Sequence, residues 1–367
     1  MAAPRTTVWE LEPHTRAKHD ILRRYLRAWM PILAQAGFPN ILYIDGFAGP
    51  GRYAGGEDGS PIIAVKSALE HKARIKGNIL FLFVEKEQNR AAMLRKCLDE
   101  LPMPPNFQIE IAGNKKFSDA FEGLKQSYLR RARKFPPTFA FIDPFGWTGA
   151  PFDVVQFILG QPNCETFVTF MYEEINRFLG HPDQPANFDE FFGTPEWRRG
   201  IRLSLPSNRD RSLHDLYLHQ LRKVAGARYV RSFRMQNESN LTDYYLFYAS
   251  NSLLGLKKMK EAMWRVDESG EFTFSDATDP NQLILFSKEP RRDLLAKQLR
   301  GRFHARNVPV SEIEEFVLIE TPFRETHYKG VLKRLECSTP PALQVIEAPE
   351  GRKRGTFPSP SMILRFS

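Results

Sequence analysis

Three cysteines in 367 residues, Cys97, Cys164 and Cys337, are too few and too far apart for a disulfide framework or a Cys-x-x-Cys metal site. Each reads first as a small core hydrophobe kept reduced. No apolar run approaches the roughly 20 residues of a membrane span, and the N-terminus has no apolar signal core. A soluble, cytoplasmic protein is the expectation. His214 and His219 are not at one-turn spacing, so no metal site is proposed from them. Acidic residues are the scarcer charge: 43 against 52 basic, a net charge of +9. That balance makes a polyanion a plausible partner, and it speaks to association rather than to fold.

What is present centres on Ile41 to Gly51, Ile-Leu-Tyr-Ile-Asp-Gly-Phe-Ala-Gly-Pro-Gly, followed by Arg52 and Tyr53. A short β-branched and aromatic run that ends in an acid and opens into glycines reads as a buried strand delivering a ligand loop. A phosphate-binding P-loop would end in Gly-Lys-Ser/Thr, which is missing here. Gly49-Pro50-Gly51-Arg52-Tyr53-Ala54 formally fits the dinucleotide pattern, but that motif needs a helix to start at its glycines. Gly55, Gly56, Glu57, Asp58 and Gly59 keep the chain in loop until Ser60-Pro61, an N-cap and first-turn pair. The remaining readings are an S-adenosylmethionine loop and a glycine-rich turn with no ligand.

The flanking chain supports an α/β fold. Thr15 to Leu33 is an amphipathic basic helix, in which Lys18 and His19 either line the site or form a solvated charged end. Helices over Pro61–His71, Glu87–Leu101 and Ser118–Lys134 alternate with strands over Asn78–Val84, Phe107–Ala112 and Thr138–Ile142. Glu85, at the tip of the second strand, stands where Rossmann-like folds bind a ribose. Asn114, after the third, is a base contact or a plain turn residue. The helix rich in Arg130, Arg131, Arg133 and Lys134 is an exposed face or an electrostatic surface for nucleic acid. After the fourth strand comes Asp143-Pro144-Phe145-Gly146-Trp147. An aspartate beside backbone carbonyls can accept both hydrogens of an exocyclic amine, and Phe145 or Trp147 could stack on a base drawn out of its helix. The other reading of this stretch is a strand-end turn.

Further on, Pro151–Leu159 and Tyr172–Leu179 read as helices around a strand at Glu165–Met171. Gly180–Arg211 looks like an insertion over the carboxyl edge of the sheet. Leu213–Val224 is helical, and Tyr229–Met235 and Asp243–Ala249 form a closing antiparallel pair. Leu254–Val266 is a basic helix, and the polar break Gly270–Pro280 is the expected domain boundary, placed between 279 and 280. Helices at Arg291–Phe303, Val310–Ile319 and Arg324–Leu335 precede apolar segments at Leu343–Ile346 and Met362–Phe366, which flank Gly351-Arg352-Lys353-Arg354-Gly355. That is the outline of a winged helix-turn-helix, with Lys329, Lys333, Arg334, Arg352, Lys353 and Arg354 as expected nucleic-acid contacts. Winged helices also serve as protein docking modules.

With these residues laid out, Trp9 to Trp264 resembles the three-Cys-motif partner family, bacterial proteins with a class I methyltransferase-like domain, and the tail is similar to the winged helix often attached to them. Lys18-His19 with Asp45-Gly46-Phe47-Ala48-Gly49-Pro50-Gly51-Arg52-Tyr53 is also similar to ribosomal RNA methyltransferases that modify the amino group of adenine. Those enzymes carry Asp-Pro-Pro-Tyr where this chain has Asp143-Pro144-Phe145-Gly146, so the aromatic fourth position is lost. The resemblance implies a Rossmann-like class I methyltransferase sheet and S-adenosyl-L-methionine as cofactor. It implies cofactor contacts from Asp45, Gly46, Phe47, Ala48, Gly49, Gly51, Tyr53, Glu85 and Asn114, and a catalytic role for Asp143, Pro144 and Phe145. The expected partners are DNA or RNA and a protein bearing the three-cysteine motif. The competing expectations are a non-catalytic nucleic-acid-binding or adaptor protein on the same scaffold, and methylation of a protein partner.

Overall fold

In the computed structural model the described residues are 6–71, 75, 77–131, 134–203, 205–276 and 291–367. They fall into two compact units, one running to Ala262 and taking in 273–276, the other made of Met263–Phe272 and 291–367. The expected cut between 279 and 280 lies outside the described residues.

The first unit alternates helix and strand as far as its fifth strand: α1 Pro13–Gln35, β1 Asn40–Asp45, α2 Ser60–Leu69, β2 Asn78–Glu85, α3 Gln88–Asp99, β3 Phe107–Gly113, α4 Phe117–Arg130, β4 Thr138–Ile142, α5 Phe152–Leu159 and β5 Glu165–Phe170. Then come α6 Tyr172–Phe178, α7 Pro185–Phe192, a 3₁₀ turn Pro195–Arg202, α8 Pro206–His219, β6 Tyr229–Gln236, β7 Thr242–Ser250, α9 Leu253–Trp264 and β8 Thr273–Ser275. The eight strands lie in the order β3-β2-β1-β4-β5-β7-β6-β8. Of these eight strands only β7 runs antiparallel to both of its neighbours. This is a Rossmann-like α/β sheet, and the reversed β7 between β5 and β6 forms with β6 the closing antiparallel pair expected from the sequence. Every residue of β4 and β5 is buried, as parallel strands covered on both faces require. The strand order reverses between β1 and β4, which pair directly, with Asp45 opposite Phe141. Open α/β sheets bind ligands at the carboxyl ends of the strands at such a reversal.

Helix α1 shows how the sheet holds its cover. Lys18, Leu22, Tyr25 and Trp29 are buried at helical spacing on one face. The Tyr25 hydroxyl donates to Glu165, the first residue of β5, and lies 2.9 Å from the Tyr248 hydroxyl. Ser250 Oγ donates to the other Glu165 oxygen at 3.0 Å. Burial pushes the Glu165 carboxyl up to about 7 against the opposing pull of Tyr25 and Ser250. This anchor at the amino edge of the sheet fixes the helix so that Lys18, two turns earlier, reaches the carboxyl edge.

The insertion expected at Gly180–Arg211 is α7, the 3₁₀ turn and the start of α8. Phe188, Phe191, Phe192 and Trp197 are buried and join one aromatic core with Phe152, Phe170 and Tyr217. Two expectations are corrected here. Part of the polar break at Gly270–Pro280 is β8, because Arg234 to Gln236 offer it a free strand edge; residues 277–280 of that break are outside the described residues. The cap of α2 is Gly59 rather than Ser60, with Pro61 in the first turn.

The second unit is α10 Arg292–Phe303, β9 Asn307–Pro309, α11 Val310–Glu320, α12 Glu325–Cys337, β10 Leu343–Glu347 and β11 Ile363–Phe366. Its three strands pair antiparallel in the order β10-β11-β9. Three helices and a winged hairpin enclose Leu295, Leu299, Phe303, Ile313, Val317 and Leu332, all nearly or fully inaccessible. This is a winged helix. Cys97 and Cys164 are buried as expected, whereas Cys337, the last residue of α12, is exposed.

Candidate active site

Asp45 ends β1 and Asp143 follows β4, so the strand reversal brings the two acids together although 98 residues separate them. The Asp45 side chain is wholly buried. Its Oδ1 accepts the Phe47 amide at 3.2 Å, while Oδ2 is buried without a hydrogen-bond partner. Burial pushes this carboxyl up to about 7, Asp143 and Glu85 reinforce the rise, and Ser60 and the Phe47 amide oppose it. A buried acceptor left open costs free energy unless a ligand supplies its donor.

The glycine loop is held in a shape that only glycine adopts easily. Gly49 and Gly51 have φ of 66° and 87°, in the left-handed region. The Gly49 amide donates to Glu85 Oε2 at 2.9 Å, and the Glu87 amide donates to Oε1 at 2.7 Å. Each carboxylate oxygen of Glu85 keeps a further acceptor site. Burial raises the Glu85 carboxyl above its usual range. At Gly46, an added Cβ would stand 2.9 Å from the Phe117 ring, so the strand end passes close beneath α4.

A cleft of about 490 Å³ opens along this edge, lined by Gly46, Phe47, Glu85, Lys115, Phe145 and Asn187 among others. A smaller recess beside it is lined by Ala48, Gly49, Pro50, Gly51, Tyr53 and Asp143. Asn114 is exposed, has a left-handed φ of 57° and donates its amide to the Glu85 carbonyl. It shapes the turn, and the cleft wall passes to Lys115, Lys116 and Phe117.

Asp143 is already engaged. Lys18 Nζ donates to both of its oxygens, at 2.8 and 2.6 Å, and stands 5.1 Å from the centre of the Tyr244 ring. Lys18 and His19 are 6 and 4 % exposed, which overturns the solvated-end alternative for them. Burial drives the His19 imidazole down to about 3, with the Lys18 charge assisting, so it is neutral. Pro144 is buried and Phe145 is 38 % exposed at the mouth of the recess. Trp147 is corrected: it packs at 4.8 Å against Phe188 in the core and is not available to stack on a base.

Trp9 is a site residue that sequence reasoning did not single out. Its ring meets Phe145 at 5.5 Å and Tyr53 at 5.9 Å, both edge-on, and Arg90 lies 5.0 Å from its centre. Its carbonyl accepts the Ala54 amide. The available signal was a lone tryptophan in a polar stretch ahead of a helix, which is too common to decide anything.

In the second unit, Lys329, Lys333, Arg334, Lys353 and Arg354 are exposed. Arg352 is not a free cation: its guanidinium grips the nearly buried Glu336 with bonds of 2.9 and 2.5 Å and lies over Phe357. Arg354 also bonds the Glu336 carbonyl, and the Gly355 amide donates to the Glu336 carboxylate. The Arg352 pair is a strut between wing and α12. Arg131 and Lys134 lie beyond the end of α4, and Arg133 is outside the described residues.

The family described as "GMT-like wHTH domain" matches residues 273–339. No curated protein matches the chain. Among solved structures, an O-methyltransferase from Bacillus cereus in complex with SAH is similar at 14% identity over 61% of this chain and 80% of that one, with a TM-score of 0.32. Cofactor-bound Rv0187 from MTB is similar at 10% identity over 62% and 79%, with a TM-score of 0.34. The cyclopropane synthase MmaA2 from Mycobacterium tuberculosis is similar at 12% identity over 69% and 70%, with a TM-score of 0.26. The fold assignment of the first unit rests on its strand order, and that of the second on its helix and strand order together with the family match.

Proposed function

We propose that the chain is an S-adenosyl-L-methionine-dependent methyltransferase acting on nucleic acid, at an exocyclic amine of a base. The observation that carries this reading is the fully buried, unpartnered Asp45 Oδ2 at the end of β1, one residue before Gly46, which lines a cleft of about 490 Å³, and just ahead of a left-handed glycine loop. The donor set fits the cofactor. Asp45 would accept its amino group, Gly46, Phe47, Ala48, Gly49, Gly51 and Tyr53 would line its methionine end, and Glu85 would accept its ribose hydroxyls. Asn114 would shape the adenine side. When bound, the cofactor supplies a methyl group made electrophilic by its positive sulfur.

The remaining work falls to the chain. Asp143 and the backbone carbonyls beside Pro144 would accept the hydrogens of an amine, while Phe145 and Trp9 would hold an aromatic ring at the recess. Holding the acceptor in line removes several kcal/mol of barrier without any proton relay. The acceptor must compete with Lys18 for Asp143. The winged helix would hold the polymer through Lys329, Lys333, Arg334, Lys353 and Arg354, with Arg352 bracing the wing. We also read the chain as two domains dividing ahead of the winged helix, and as a member of the three-Cys-motif partner family acting with a partner protein.

Two observations favour a second reading, a nucleic-acid-binding adaptor on a methyltransferase scaffold: Asp143 is occupied by Lys18 on both oxygens, and Gly146 stands at the fourth position that is aromatic in the similar adenine-amino methyltransferases. Calorimetric titration of S-adenosylmethionine into wild type and Gly49→Trp tests the cofactor site. Gly49 has a φ of 66°, which strains any residue with a Cβ, and an added Cβ would already touch the Trp9 ring at 3.6 Å, so an indole at this position has to displace Trp9 or fill the recess. Binding by the wild type that the substitution abolishes supports the enzyme, and methyl transfer to DNA or RNA lost in Asp143→Ala then identifies the chemistry. Absence of heat and of thermal stabilisation in the wild type would leave the adaptor reading.

A further inference from the structure

Helix α12 carries positive charge on two faces, and only one of them belongs to the wing. Lys333 lies toward the wing: an added Cβ at Gly355 would meet its side chain at 2.9 Å. Arg334 is turned about 100° around the helix from Lys333. It lines an open groove of about 680 Å³ whose other wall is α10.

The α10 wall is a single stripe, Asp293, Ala296, Lys297, Arg300, Gly301 and His304, at the spacing of one helix face. Lys297, Arg300, His304 and Arg334 are all exposed, and Asp293 is the one acid lining the groove. None of the four basic residues makes an ion pair with a described residue. Arg300 donates through Nε to the Ser367 carbonyl, which orients it and leaves its other donors free. A Cβ added at Gly301 meets nothing within 4 Å, so the floor is open.

We propose that this groove between α10 and α12 binds the sugar-phosphate backbone of duplex nucleic acid, as a second phosphate site separate from the wing. Charge complementarity selects the occupant: Lys297 and Arg300 on α10 and Arg334 on α12 face a groove with a single carboxylate, and His304 at the end of α10 adds a further polar ring. A duplex suits the arrangement because a helix in a major groove about 12 Å wide has a phosphate strand on either side. The wing with Lys333 takes one strand, and the α10 stripe with Arg334 takes the other. This inference rests on the nucleic-acid reading given above.

The test is fluorescence anisotropy of a labelled 20-base-pair duplex with the full chain, titrated at several salt concentrations. Lys297→Glu/Arg300→Glu should weaken binding roughly tenfold and lower the slope of log affinity against log salt by about 2, since each phosphate contact contributes about 0.9. Gly301→Glu, which enters open space and disturbs no packing, should weaken binding, while Gly301→Ala should not. The groove site is overturned if both glutamate variants keep wild-type affinity and slope while Lys333→Glu/Lys353→Glu loses binding; the nucleic-acid reading then survives alone. A wild type with no salt-dependent binding to duplex removes both.

Discussion

Asp45 is a carboxylate that the fold has taken wholly out of water, and its linkage to pH follows from that. Its folded-state value of about 7 lies above the 3.8 of an exposed aspartate, with burial the main cause. Between pH 4 and 7 the native protein therefore holds a proton that the unfolded chain has released, so stability falls as pH rises through that window. At about 1.4 kcal/mol per unit the cost approaches roughly 4 kcal/mol above pH 7. Asp45→Asn keeps the acceptor for the Phe47 amide and removes the charge. It should melt at a higher temperature than wild type at pH 8, with the difference vanishing at pH 4, while binding S-adenosylmethionine more weakly. Thermal unfolding at the two pH values checks the first outcome, and a wild type that is the more stable at pH 8 contradicts it. At this scale the identity of the acid was legible in the sequence, because an acid ending an apolar run ahead of glycines is a local pattern. Its orphaned oxygen was not, since that depends on what surrounds it.

The element that carries the site is the loop from Gly46 to Gly59. Its second half is closed on itself by the Gly59 amide donating to the Gly51 carbonyl at 2.7 Å, and an added Cβ at Gly59 would stand 2.9 Å from that same oxygen. Both atoms belong to backbone, so neither moves cheaply. Gly59→Ala should cost roughly 1–3 kcal/mol by this overpacking and weaken cofactor binding tenfold or more. Urea unfolding and calorimetric titration measure the two effects, and a variant with wild-type values in both would show that the loop is not held by this contact. The long helices and buried strands were readable from periodicity to within a few residues of their ends, except α8, which starts at Pro206 rather than Leu213. Strands β8 and β9, three residues each, were not, because such short segments become strands only where a neighbouring edge offers hydrogen bonds. The same limit explains Trp147, whose sequence neighbours suggested a stacking platform and whose tertiary neighbours made it core.

For the molecule as a whole, two compact units imply more than one cooperative transition. Calorimetry on the full chain with S-adenosylmethionine at about 100 times its dissociation constant should raise the transition of the first unit by the equivalent of about 2.7 kcal/mol and leave the winged helix unmoved. A shift shared equally by every transition would contradict a cofactor site built from the first unit alone. The sequence by itself determined the alternation of helices and strands, the glycine loop after Asp45, the Asp143 turn and the winged-helix outline, because each is encoded in spacing along a short stretch. Only the tertiary structure decided that Lys18 would meet Asp143, 125 residues away, that Trp9 would lie against the recess, and that Arg352 would brace Glu336. Those pairings depend on the order in which strands join the sheet and on which faces the helices turn inward. That information is distributed over the whole chain, and no single stretch contains it.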